Sequence, residues 1–117
     1  MKILIVDDET LDLFIAKKLL GLSYTVEGFT TVQETVLWAK SNAFDVVLID
    51  YYLGPGLFAH HVLKELLNVR GQTFKAFVLS NHVDDNQSRE LKEAGFVDII
   101  YKPLTLEKFN DYLQGIH

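Results

Sequence analysis

The stretch Phe44-Asp45-Val46-Val47-Leu48-Ile49-Asp50 decides how the rest of this chain is read. Four consecutive apolar residues, Val46 to Ile49, three of them β-branched, end at a carboxylate. The turn-forming segment Tyr51-Tyr52-Leu53-Gly54-Pro55-Gly56 follows. A short, continuously apolar run bounded by turn residues predicts a strand buried on both faces, as inside a parallel sheet. An acid at the C-terminal end of such a strand lies at the rim where open α/β folds place their ligands. Alone, Asp50 reads as a polar strand terminator. Its neighbours change that reading.

Outward from this strand, β-rich runs alternate with helical patterns. Towards the N-terminus lies Ile3–Val6, apolar and closing on Asp7-Asp8-Glu9; Leu11, Phe14, Ile15 and Leu19 then recur at helical spacing. Gly21 is expected to end that helix in a left-handed cap. Tyr24–Phe29 alternates in polarity and is expected nearer an edge. Thr30 or Thr31 can cap a second helix with Val32, Val36 and Ala39 on its apolar face. Beyond the Gly-Pro-Gly loop, Val62, Leu63, Leu66 and Leu67 mark a helix broken near Gly71, and Phe74–Leu79 is a strand ending at Ser80-Asn81. A polar helix from Asp84 to Ala94 offers only Val83, Leu91 and Ala94 to a core, and Gly95 ends it. Val97–Tyr101 is the last strand, ending at Lys102-Pro103, and Leu106, Phe109, Leu113 and Ile116 share one face of the closing helix.

This alternation predicts an α/β fold: a doubly wound, five-stranded parallel sheet with right-handed crossovers and helices on both faces. The apolar first, third and fourth strands suit central positions, which favours the flavodoxin-like order 2-1-3-4-5 with its switch point between strands 1 and 3. Asp7, Asp8 and Asp50 then converge on the crevice where that topology binds ligands.

Composition narrows the classes. The 117 residues form one expected domain, 1–117, long enough for a core without metal or disulfide support. Cysteine is absent, so thiolate sites are excluded and a reducing cytoplasm is permitted. The N-terminal apolar run reaches Asp7 too early for a signal peptide or membrane span. Eleven basic against sixteen acidic residues, a formal charge of −5, argue against direct nucleic-acid binding. The expected setting is cytoplasmic, without membrane contact.

The constellation suggests its chemistry. Two like charges about 4 Å apart repel by about 4 kcal/mol at an effective dielectric near 20, so clustered carboxylates need raised pKa values or a cation. Oxygen donors with no His or Cys beside them favour Mg²⁺ over Zn²⁺. Ser80 and Lys102 reach the same rim from strands 4 and 5. Singly, Ser80 reads as a residue leading into a helix, Lys102 as a solvated cation and Asp7-Asp8 as a cap. Together, a carboxylate nucleophile, a divalent ion, a hydroxyl and an ammonium suit capture of a phosphoryl group. His60, His61, His82 and His117 lack i, i+4 spacing, and none is read as a metal ligand. Trp38, Tyr51, Tyr52 and Tyr101 are read as packing or surface aromatics.

On Val6-Asp7-Asp8-Glu9, Asp50 after an apolar strand, Ser80 ending strand 4 and Lys102-Pro103 ending strand 5, the chain resembles the receiver domain of two-component response regulators, and chemotaxis regulators in particular. The resemblance covers essentially the whole chain. It implies that Asp50 accepts a phosphoryl group from the phosphohistidine of a sensor histidine kinase or histidine phosphotransfer protein, and that an output domain, fused or separate, reads the result. Such a domain is not an enzyme towards other substrates. By the same resemblance Asp8 and Asp50 bind Mg²⁺ through side chains, Asp7 through water and Tyr52 through its carbonyl. Lys102 pairs with Asp50 and then with the phosphoryl, which Ser80 hydrogen-bonds, and Lys102-Pro103 is a cis peptide. The responding surface is helix 4, strand 5 and helix 5.

Three positions depart from the family pattern. Gly54 stands where Pro is usual, with Pro55 one later; Asn81 replaces a small residue after the hydroxyl; and Ile99 replaces the switch aromatic, with Tyr101 two residues on. A β-branched aliphatic has few rotamers and no ring to swing. These departures favour an alternative, a docking module that keeps the fold without switching, which the intact acids, Ser80 and Lys102 oppose. A phosphatase of the haloacid-dehalogenase type needs a second Asp two residues after the nucleophile, where Tyr52 stands. Tyr52, Asn81 and His82 are further expected to crowd the path of hydrolytic water and so prolong the phosphorylated state.

Overall fold

The apolar run opens a buried strand, β3 (Val46–Asp50), at the centre of a five-stranded sheet. In the computed structural model, which describes residues 1–115, the elements on its N-terminal side are β1 (Lys2–Val6), α1 (Thr10–Leu20), β2 (Thr25–Phe29) and α2 (Val32–Ala39). After it come α3 (Ala59–Arg70), β4 (Lys75–Ser80), α4 (Asp85–Ala94), β5 (Asp98–Tyr101) and α5 (Leu106–Gln114). All pairings are parallel and the order is β2-β1-β3-β4-β5, as the pattern predicts. The period-2 alternation of a strand divides β3 between two cores. Val47 and Ile49 pack on the face covered by α2, α3 and α4, and Val46 and Leu48 on the face covered by α1 and α5.

Local signals explain the helix starts. Thr31 caps α2 by accepting from the Glu34 N–H, and Thr105 caps α5 by accepting from the Lys108 N–H. Asp84 and Gln87 form a reciprocal capping box at α4. At α3, His61 Nδ1 accepts from the Phe58 N–H at 3.0 Å, so this histidine serves the helix end.

The apolar face expected for α1 is corrected. Leu11, Phe14 and Ile15 are exposed and Leu19 is half-buried, while Leu13, Ala16 and Leu20 meet the sheet. The helix is apolar on several sides, and the sheet selects the side facing Gly28. A Cβ on Gly28 would stand 2.5 Å from Leu13 Cδ1, so this glycine makes room for Leu13. Gly21 is right-handed (φ −63°, ψ −14°), not left-handed: the chain keeps turning until the Tyr24 N–H has bonded to the Leu20 carbonyl. In α2, Thr35 is buried beside Ala39, its hydroxyl donating to the Thr31 carbonyl, and Val32 and Val36 are half-buried. Ala94 is exposed, and Phe96 joins Val83 and Leu91 in the core instead. Val97 is exposed ahead of β5, and Ile116 and His117 lie outside the described residues.

Candidate functional site

Parallel pairing brings the ends of β1, β3, β4 and β5 to one rim. Val6 pairs with Ile49, Asp50 with Leu79 and Ser80 with Tyr101, so Asp7, Asp50, Ser80 and Lys102 arrive side by side. Lys102 Nζ lies 2.9 Å from Asp50 Oδ1 and 3.9 Å from Asp7 Oδ2. Asp7, Asp8 and Asp50 each offer an oxygen within 4.8 Å of the others. That spacing is close to the span of roughly 4.2 Å available to two oxygens on one Mg²⁺. Asp8 is exposed and free to adjust, whereas Asp7 is buried with Oδ1 accepting from the Glu9 N–H at 3.0 Å.

Burial sets the electrostatics. Desolvation pushes the Asp7 carboxyl up to about 6, aided by the charges of Asp50 and Asp12 and opposed by the Glu9 N–H and Lys102. Asp50 is likewise raised by burial and by Asp8 and Asp12, against the pull of Lys102. Burial disfavours the Lys102 charge, yet its bond to Asp50 and the surrounding carboxylates hold it above its ordinary value. Carboxylates that resist ionisation beside one ammonium form a donor set that a hard cation fits.

Ser80 is buried, but its hydroxyl turns to the following loop, donating to the His82 carbonyl at 3.1 Å and accepting from the His82 N–H at 3.3 Å. Tyr52 pairs with Phe58 across a bridge whose bonds run from Leu53 to Leu57 and from Ala59 to Tyr51; neither uses the Tyr52 carbonyl. Gly54 has φ +128°, which proline, held near −65°, cannot adopt. The loop therefore follows a route that excludes Pro at 54 and takes Pro55 next. Lys102-Pro103 is cis. Ile99 is buried, whereas Tyr101 is 38% exposed.

The sequence reading passed over Asp12, in the first turn of α1, whose Oδ2 lies 3.5 Å from Lys102 Nζ. Asp8 lies ahead of Glu9, where α1 has not yet begun, so no helical spacing in the sequence links Asp12 to the acids at the rim. Beside it opens a cleft of ≈ 380 Å³ whose lining includes Asp7, Asp12, Ile15, Asn81 and Lys102.

Comparison with known proteins agrees with this geometry. The family model described as the response regulator receiver domain matches residues 3–114. A curated relative, the two-component response regulator ARR14 of Arabidopsis thaliana, is 28% identical over 99% of the chain, which spans 31% of that relative's length. The fold matches the chemotaxis protein CheY4 of Vibrio cholerae with a TM-score of 0.87, at 22% identity, covering 99% of this chain and 98% of that one. It also matches a CheY-like receiver domain protein from Methanospirillum hungatei, with a TM-score of 0.81 at 28% identity, over 98% and 94% of the two chains. On this family match and this site geometry, the chain belongs to the response regulator receiver domains of two-component signalling.

Proposed function

We propose that residues 1–117 act as one phosphoacceptor receiver and that Asp50 is the acceptor. The observation that carries this is Lys102 Nζ at 2.9 Å from Asp50 Oδ1, inside a ring of carboxylates. An Asp50 oxygen attacks the phosphorus of a partner's phosphohistidine; the N–P bond breaks as an O–P bond forms, and the departing imidazole takes up a proton. Lys102 meets charge on the transferring oxygens, a role that needs a fixed ammonium. Asp8, Asp50, Asp7 and the Tyr52 carbonyl are the residues that would hold Mg²⁺. When bound, that ion supplies charge neutralisation for the incoming phosphoryl group.

The response follows from Ser80. Turning its hydroxyl to the phosphoryl breaks both bonds with His82, releasing the loop that leads into α4. Helix α4 buries only Leu91, so little apolar contact opposes its movement. Ile99, packed in the core beneath α4, stays in place, and Tyr101 presents its ring to a partner. The donor is a sensor histidine kinase or histidine phosphotransfer protein, and the reader is an output domain, fused or separate. The setting is cytoplasmic; among the described residues no helix is long and apolar enough to cross a membrane.

The test is incubation with a small phosphodonor and Mg²⁺, followed by intact-mass analysis. One added phosphate is expected, not formed when excess chelator is present from the start and absent from Asp50→Asn. Undiminished labelling of that variant would sink the assignment. Ile99 favours a second reading, a non-switching docking module. Under the switching reading, beryllofluoride perturbs amide shifts across residues 80–102; shifts confined to the neighbours of Asp50 would favour docking.

A further inference from the structure

Lys102 faces three carboxylates at different depths. Asp50 is in hydrogen-bond contact, Asp7 is deeply buried, and Asp12 stands at 3.5 Å with its side chain 45% exposed. Asp12 therefore holds the solvent side of the ammonium and lines the cleft beside the acceptor. Its place in the first turn of α1 suits a negative charge there, since helix N-termini carry partial positive charge. That placement also fixes the carboxylate on a rigid element rather than a loop.

Resting on the phosphoacceptor reading, we propose that Asp12 is a positioning residue for Lys102: it draws the ammonium towards α1, in competition with Asp50, and sets a negative charge at the mouth of the site that discriminates against small dianionic phosphodonors. Its charge also adds to the repulsion felt by Asp7 and Asp50. A donor that carries a cationic group beside its phosphoryl offsets that charge, whereas acetyl phosphate brings only more negative charge. The carboxylate thus biases the site towards donors of lower net negative charge.

The test uses the full chain as wild type, Asp12→Asn and Asp12→Glu, with Asp50→Asn as the site control. Initial rates of phosphate uptake, resolved into KM and kcat, are followed with acetyl phosphate, a dianion near neutral pH, and phosphoramidate, which carries one net negative charge. At low salt, Asp12→Asn should take phosphate from acetyl phosphate about three- to tenfold faster, as expected for removing one charge near the reacting group. The gain should be smaller with phosphoramidate and should shrink in high salt, as the Debye length falls below the separation of the charges. Asp12→Glu, which keeps the charge, should stay near wild type. An unchanged rate in Asp12→Asn, a gain equal for both donors and both salts, or Asn-like behaviour of Asp12→Glu overturns the proposal. Labelling that survives in Asp50→Asn overturns the acceptor assignment instead, so the two failures are distinguishable.

Discussion

Asp7 is the residue in which the demands of folding and of the site oppose each other. Its carboxyl is raised to about 6 from the 3.8 of an unperturbed group, chiefly by burial. The folded state therefore holds this proton more tightly than the unfolded chain does. The resulting stabilisation is fully present below pH 3.8 and is lost as pH rises through about 6. Asp50 shifts in the same direction. The Asp7 displacement alone amounts to about 3 kcal/mol. In metal-free protein, Asp7→Asn should thus gain on wild type by that order between pH 4 and pH 7, read from urea midpoints. Added Mg²⁺ should narrow the gap at pH 7 by stabilising wild type. A pH-independent difference between the two proteins would contradict the electrostatic account of Asp7.

At the scale of elements, the contact of α1 with β2 turns on Gly28. Gly28→Ala places a methyl against Leu13, which is itself buried, and overpacking of this kind costs about 1–3 kcal/mol. Thermal melting should register a fall of roughly 4 °C per kcal/mol for a chain of this length; an unchanged midpoint would mean that Leu13 moves aside freely. The same contact marks where sequence reading ran out. Strand β3 was legible because an unbroken apolar run has one economical environment, and β2 because its alternation signals an edge. The acids, Ser80 and Lys102 were legible because each ends a strand, and parallel strands deliver their ends to one rim. The side of α1 that meets the sheet was not legible, because Leu11, Leu13, Phe14, Ile15 and Ala16 offer several apolar faces and only the room left by Gly28 selects among them. Asp12 was missed for a related reason: its role depends on which way α1 is rotated.

For the molecule as a whole, the proposed function turns on how long a phosphorylated state would last. Hydrolysis needs a water in line behind phosphorus, within roughly 3–3.5 Å. Asn81 lines the cleft, Tyr52 stands exposed against the Phe58 ring, and His82 is exposed on the loop held by Ser80. We expect these side chains to crowd that water and give slow autodephosphorylation, a mark suited to relay or sustained output. Asn81→Ala and Tyr52→Asn should each lose phosphate faster with Mg²⁺ present. Loss within seconds from wild type, or no acceleration in either variant, would remove steric shielding as the explanation.

The central claim, that Asp50 and not one of its acidic neighbours forms the acyl phosphate, is tested most directly by chemical trapping. Borohydride reduces an aspartyl phosphate, but not a free carboxylate, to homoserine. After phosphorylation, reduction and proteolysis, peptide sequencing by mass spectrometry should find homoserine at position 50, with aspartate retained at positions 7, 8 and 12. Homoserine at any of those three positions, or none at 50 in protein that has taken up phosphate, would contradict the account.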